Sequence, residues 1–190
     1  MKQDAAAILI CAIAFTTAAC GDSPTSPSQS GRLIVRLSAS SFPGGQALLV
    51  TFARVRAAGT SGAAFDVAFP NGASQFTCDL KKLQSSDGEI AIGTLRPGDY
   101  AEVRLQIQSA TLYLDNSISE AACGASLRVP SGRAAAMAVT PNEVPLATRF
   151  HVDENGDTTM RIGVNTEQSV RLSGNGSYTF APSVAVLSVS

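Results

Sequence analysis

The densest group of oxygen-bearing side chains in the sequence is D-E-N-G-D, residues 153–157. Asp153, Asn155 and Asp157 stand at alternate positions, as the first three ligands of a calcium loop do, and Ca²⁺ prefers such oxygen ligands. However, the glycine comes at the fourth position instead of the sixth, and no glutamate stands at the twelfth. A solvent-exposed turn is therefore the favoured interpretation, and a metal site on these three residues is the alternative.

His151 is the single histidine of the chain. It alternates with Phe150 and Val152, which places it on a solvated strand face. Nucleophilic catalysis needs a nucleophile within hydrogen-bond reach of such a base, and no G-x-S-x-G string is present to supply one. No catalytic constellation is complete, so we expect a protein that is not an enzyme and needs no cofactor.

Four arginines, Arg32, Arg36, Arg54 and Arg56, fall on two predicted strands. If these strands were neighbours, the guanidinium groups would form one basic face able to bind carboxylates or acidic sugars. The favoured interpretation is a solvated sheet face with acidic partners, because 14 basic residues face 15 acidic ones and the net charge is −1. The same balance excludes nucleic acid as a partner, since no basic field is available to track phosphates.

The first nineteen residues have the pattern of a leader for export. Behind Lys2, residues 5–19 carry no charge. This length suits a signal-peptide core and falls short of the ~20 residues that a membrane-spanning helix needs. The run ends in T-A-A followed by Cys20, which resembles the bacterial lipoprotein signal. The resemblance implies that residues 1–19 are a cleaved signal peptide and that Cys20 becomes a lipidated N-terminus.

The implied lipid would anchor the protein in the cell envelope, because several acyl chains hold a bilayer far better than one. Gly21 follows the cysteine, as in lipoproteins that Gram-negative bacteria sort to the outer membrane, so we expect that membrane rather than the inner one. Residues 20–30 then comprise the lipidated cysteine and a flexible tether. The segment G-D-S-P-T-S-P-S-Q-S contains no large apolar side chain that would order it.

The four cysteines divide by position. If Cys11 leaves with the signal peptide and Cys20 takes lipid, Cys78 and Cys123 remain. Two cysteines in an exported domain predict one disulfide, which would stabilise the domain by about 4 kcal/mol in the chain-entropy model. Metal binding by this pair is not expected, because neither cysteine has a second Cys or His at ligand spacing.

Residues 31–190 have the pattern of one all-β domain. Only 15% of the chain is charged, against about 25% in an average soluble protein. Period-two alternation is clear in A-E-V-R-L-Q-I-Q, residues 101–108, and its change of phase afterwards predicts a β-bulge near Ser109. Short strands between Gly, Pro and Asn turns predict a single β-sandwich of immunoglobulin- or transthyretin-like architecture.

Local signals add six expectations. Asn-Gly pairs at 155–156 and 175–176 predict two β-hairpins. The segment T-L-R-P-G-D-Y, residues 94–100, predicts a corner in which the Tyr100 hydroxyl bonds back to the backbone. Short helices are expected near residues 81–84 and 117–122, and residues 182–190 are expected to form a final buried strand.

The domain contains four strings in this order: G-R-L-I-V-R-L, L-R-P-G-D-Y, V-P-S-G and S-V-R-L-S-G-N-G-S-Y-T-F-A-P. Similar strings occur in the same order in a bacterial lipoprotein domain family of unknown function, which the chain resembles over residues 31–190. The resemblance implies a β-sandwich on a lipid tether and transfers no catalytic or binding residue. We therefore expect a non-catalytic binding or structural module that contacts an envelope protein or polysaccharide. The alternatives are an envelope hydrolase or accessory enzyme and a calcium-dependent adhesin-like module that uses Asp153 and Asp157.

Overall fold

The alternating apolar segments of the chain form the strands of two packed β-sheets, one of four strands and one of nine. The computed structural model describes residues 29–190. The predicted signal peptide, Cys20 and most of the predicted tether lie outside the described residues. The predicted all-β sandwich is confirmed. Among residues 29–190, no helix is long and apolar enough to cross a membrane.

Thirteen strands make up most of the described chain: β1 (Gly31–Ala39), β2 (Ala47–Gly59), β3 (Ala64–Val67), β4 (Phe76–Asp79), β5 (Gly88–Leu95), β6 (Gly98–Tyr113), β7 (Cys123–Gly124), β8 (Ala134–Val139), β9 (Glu143–Val152), β10 (Asp157–Val164), β11 (Val170–Leu172), β12 (Tyr178–Phe180) and β13 (Val184–Val189). One short α-helix, α1 (Thr166–Ser169), and two 3-10 helices, Pro70–Gly72 and Lys82–Gln84, lie between strands. The second 3-10 helix confirms the helix expected near residues 81–84. The stretch 117–122 forms no helix, so that expectation is wrong.

The smaller sheet is built around β1, which pairs in parallel with β10 and antiparallel with β5. β13 completes the sheet beside β10. Leu33, Val35 and Leu37 of β1 are fully buried, because alternate side chains of a strand point to the same face. The expected final strand is therefore present, but as an edge strand and not a buried one: Leu187 is 60% exposed.

The larger sheet is built on one long antiparallel ladder between β2 and β6, which runs from the Ala47–Tyr113 pair to the Gly59–Tyr100 pair. β4 and β3 pair with successive parts of the free edge of β2. β8 and β9 pair in the same way with successive parts of the free edge of β6. β7 extends the sheet beyond β4, and β12 and β11 extend it beyond β8.

The ladder is irregular where the sequence predicts a bulge. Thr51 lies opposite Ser109, whereas the next residue, Phe52, lies opposite Ile107, so that Gln108 is an extra residue. Gln108 and Ser109 are both exposed although they are adjacent in the strand. The bulge is therefore confirmed, and it divides the β2–β6 ladder into two segments with different neighbouring strands.

The Asn155-Gly156 hairpin prediction is wrong. β9 pairs with β6 in the larger sheet, whereas β10 pairs with β1 and β13 in the smaller one. The turn at residues 153–156 therefore carries the chain from one sheet to the other. Asn155 does adopt the positive φ expected of it, 57°, but this local preference does not fix where the next strand pairs. The second predicted hairpin is confirmed as β11 and β12.

The predicted tyrosine corner is confirmed. The Tyr100 hydroxyl donates a hydrogen bond to the Arg96 carbonyl oxygen at 2.9 Å. The ring is 3% exposed and stacks on Phe150 with the centroids 5.1 Å apart. Burial raises the pKa of the Tyr100 hydroxyl. The corner fixes the entry into β6 at the point where the chain crosses from β5 in the smaller sheet.

The predicted Cys78–Cys123 disulfide is present, and it joins directly opposed residues of β4 and β7. It closes a sequence separation of 45 residues. It also fastens the segment of residues 114–133, which connects β6 to β8, against the larger sheet. Ile118 of this segment is buried with Ala47, Leu49 and Tyr113 in a small apolar cluster, separate from the main core between the sheets.

We expect Tyr100→Phe to reduce the free energy of unfolding by about 1 kcal/mol, because the Arg96 carbonyl loses its partner while the ring stays packed. In thermal unfolding followed by circular dichroism, this corresponds to a fall in Tm of about 2–4 °C. Tyr178→Phe is the matched control, since it removes a hydroxyl from a half-buried ring outside the corner. Equal effects of the two substitutions would contradict the assigned role of the Tyr100 hydroxyl.

Candidate functional site

The turn at residues 153–156 is tied to the start of the domain. The Asn155 amide donates to the Ser30 carbonyl at 2.9 Å, and the Arg32 amide donates to the Gly156 carbonyl at 2.9 Å. The predicted tether therefore enters the sandwich at the end that carries this turn. The same end carries the beginning of β6, because Gly98 pairs with Val152.

The three candidate calcium ligands are not brought around one point. Asp157 forms a two-pronged salt bridge with Arg32, at 2.7 Å and 2.5 Å, and this hydrogen bonding lowers the pKa of the Asp157 carboxyl. Asp153 instead lies 3.6 Å from the His151 ring. Within residues 29–190, no group of three or more His, Cys, Asp or Glu side chains is arranged to hold a metal ion.

His151 is held by carboxylates. Its Nδ1 atom lies 2.8 Å from an Asp99 oxygen, and both side chains are largely exposed. The hydrogen bond to Asp99 raises the pKa of the His151 imidazole. The pair can hold a proton at the surface, but among the described residues the ring nitrogens of His151 contact only Asp99 and Asp153. The Thr158 hydroxyl donates to the His151 backbone carbonyl at 2.9 Å and not to the ring.

The four predicted arginines do not share one face. Arg32 and Arg36 belong to β1 in the smaller sheet, and Arg54 and Arg56 belong to β2 in the larger one. Each has an acidic partner: Arg36 bonds Asp87 at 3.1 Å, and Arg54 and Arg56 both approach Asp66. The single basic face is therefore wrong, and the favoured interpretation of paired surface charges is confirmed.

The outer face of the larger sheet divides at the bulge into two unlike halves. The half near the tether carries interleaved charges on β3, β2, β6 and β9, and we call it the charged half: Arg54, Arg56, Asp66, Glu102, Arg104 and Glu143. Arg104 pairs with Glu102 at 2.5 Å and approaches Glu143 at 3.7 Å. The charged groups of this half therefore neutralise one another in ion pairs. Exposed ion pairs of this kind contribute little to the stability of the fold.

The other half of this face is a groove that the sequence analysis did not predict. Its floor is formed by small hydroxyl side chains on three adjacent strands: Thr77 of β4, Thr51 of β2, and Ser109 and Thr111 of β6. The groove has a volume of about 300 Å³, at the lower end of the range for ligand sites. We call it the hydroxyl groove.

One wall of the hydroxyl groove is the part of the 114–133 segment that contains residues 125–129. Leu127 packs against the small apolar cluster beneath it, and the Val129 side chain is 64% exposed. Tyr113 also lines the groove but is only 8% exposed, so little of its ring is available to contact a ligand. The groove thus has a hydroxyl floor and an apolar wall.

Contacts outside the groove brace the 114–133 segment. At its base, Arg133 binds Asp115 through two guanidinium nitrogens, at 2.8 Å and 3.1 Å. Further along, the Asn116 amide donates to the Ser131 carbonyl at 2.9 Å. The Cys78–Cys123 disulfide fastens the middle of the segment to β4. The wall is therefore held in place before any ligand arrives, which reduces the entropy cost of binding.

We expect the His151 pKa to fall towards its ordinary value in Asp99→Asn, because the neutral amide no longer favours the imidazolium. Proton NMR measures this directly, since the chain has one histidine. The raised pKa also means that the interaction stabilises the fold below the ordinary histidine pKa and is lost as the pH rises through the folded pKa. Glu154→Gln is the control, and an unchanged His151 pKa in Asp99→Asn would contradict the assignment.

Comparison with known proteins identifies the family of this chain. Neither the search of curated proteins nor the search of solved structures gives a match. The model of a domain of unknown function, DUF4382, matches residues 30–182, which include β1 to β12 and both halves of the outer sheet face. The match covers most of the chain, and the protein therefore belongs to the DUF4382 family.

Proposed function

We propose that the protein is a lipid-anchored module of the bacterial cell envelope that binds its ligand without transforming it. Cys20 carries the lipid, residues 1–19 are the signal peptide, and residues 21–30 are the tether. The support for the anchor is the T-A-A-C ending of the uncharged N-terminal run. Ten tether residues span at most about 35 Å when extended, so the domain stays close to the membrane surface.

The observation that carries the binding role is the position of the hydroxyl groove relative to the tether. The tether enters beside the beginning of β6 at Gly98, and the groove lies on the last third of that strand. At about 3.3 Å per residue, Gly98 and Ser109 are roughly 35 Å apart along β6. The groove therefore lies far from the anchoring end of the domain, where a second envelope component can reach it.

Three of the acidic side chains are unsuited to act as general acids. The pKa values of Asp87, Asp115 and Asp157 are all lowered, first of all by hydrogen bonds from arginine side chains. A general acid at neutral pH needs the opposite shift, a carboxyl pKa raised towards 7. These three carboxylates therefore act as partners of arginines that brace the surface.

We expect the wild-type chain to fractionate with membranes and Cys20→Ser to be released from them, because the acyl chains supply the anchor. Cys11→Ser is the matched control, since it changes a cysteine inside the proposed signal peptide and leaves Cys20 intact. After cross-linking of intact cells, wild type and Cys11→Ser should enrich a defined envelope protein or polysaccharide that Cys20→Ser does not. Membrane attachment of Cys20→Ser would contradict the anchor, and background capture by all three would contradict the binding role.

A further inference from the structure

We propose that the hydroxyl groove binds an uncharged polysaccharide chain, with Thr51, Thr77, Ser109 and Thr111 contacting sugar hydroxyls and Leu127 and Val129 contacting sugar carbon faces. This inference deepens the proposed function, on which it rests, by naming the ligand class and the residues. It depends on three features of the groove: its hydroxyl floor, its lack of charge and its braced apolar wall.

The floor presents aligned hydroxyls because of the strand register. Thr51 lies directly opposite Thr77 on one side and opposite Ser109 on the other, so the three side chains form a row across β4, β2 and β6. The hydroxyls of Thr51 and Thr77 are 2.9 Å apart, and either can donate to the other. Each hydroxyl is both a donor and an acceptor, as are the hydroxyls of a sugar.

The lack of charge selects the ligand class. None of the side chains that line the hydroxyl groove is ionisable at neutral pH, and the charged residues of this sheet face lie in the charged half, beyond the bulge. An acidic polymer would lose hydration in the groove and meet no cation among its lining residues, which costs free energy. The cation next to the wall, Arg128, lies outside the lining and approaches Glu120 at 3.7 Å. An uncharged chain loses only hydroxyl hydration, and the floor replaces those hydrogen bonds.

The apolar wall complements the other surface of a sugar ring. A saccharide presents C–H groups on its faces and hydroxyls around its edge, so it binds best where apolar and hydroxyl side chains meet. Val129 is among the few large apolar side chains that the described chain leaves exposed, and it stands beside the hydroxyl floor.

The test is calorimetric titration of the full chain in mild detergent with four uncharged probes: maltohexaose, cellohexaose, laminarihexaose and mannohexaose. Hexagalacturonate serves as the acidic probe. We expect at least one uncharged probe to bind and the acidic probe not to bind. Thr51→Val with Thr77→Val should weaken that binding by roughly tenfold or more, because two hydroxyl partners are lost with little change of shape.

Two further variants keep the test independent of folding defects. Ser109→Lys places a long charged side chain at an exposed floor position, so we expect it to block binding without lowering the Tm. Thr94→Val is the matched control, because Thr94 is an exposed threonine on β5 of the smaller sheet. It should bind as the wild type does.

The inference is overturned if none of the four uncharged probes binds, if the floor variants bind as tightly as Thr94→Val, or if hexagalacturonate binds more tightly than every uncharged probe. Such a failure is distinguishable from failure of the proposed function. If the cross-linking comparison still captures an envelope component through the Cys20-anchored chain, only the assigned ligand class is wrong.

Discussion

The antiparallel ladder between β2 and β6 supports every other strand of the larger sheet. Each of these two strands is long enough to pair with two shorter strands along its free edge, so four strands attach directly to the ladder. The bulge at Gln108 separates these attachments into two groups. Because a bulge also shifts which side chains point outwards, it separates a charged half of the outer face from a hydroxyl-lined half.

The hydroxyl groove depends on the 114–133 segment, which the fold secures with covalent and polar contacts. Where β4 ends, the Asp79 backbone amide donates to the Ala122 carbonyl of this segment at 2.7 Å. The fully buried Asp79 carboxylate accepts hydrogen bonds through one oxygen from the Leu48 and Lys81 amides, both at 3.0 Å. Its other oxygen has no hydrogen-bond partner among the described residues. A buried carboxylate is costly in free energy unless it is hydrogen-bonded. The bonds from the two backbone amides offset this cost and hold the chain in place where β4 ends.

Sequence patterns predicted the features that neighbouring residues determine. The bulge near Ser109 and the Tyr100 corner each depend on residues close in the chain. The Cys78–Cys123 disulfide was predictable because only these two cysteines remain in the proposed exported domain. One local expectation failed, the helix near residues 117–122. Long-range pairing also failed, because the turn at Asn155 leads into a different sheet. The hydroxyl groove was missed for the same reason, because Thr51, Thr77 and Ser109 become one row only when three distant segments pair in register.

In the proposed function, the binding surface is the half of the outer sheet face that holds the hydroxyl groove. The most direct measurement is the change of backbone amide NMR shifts when the isotopically labelled full chain, in detergent micelles, is titrated with the four uncharged hexasaccharides. We expect the largest changes at the residues that line the hydroxyl groove: Leu49, Thr51, Gln75, Thr77, Ser109, Thr111, Tyr113, Ala125, Ser126, Leu127 and Val129. Shift changes confined to the charged half or to the turn at residues 153–156, or no changes at all, would contradict binding in the hydroxyl groove.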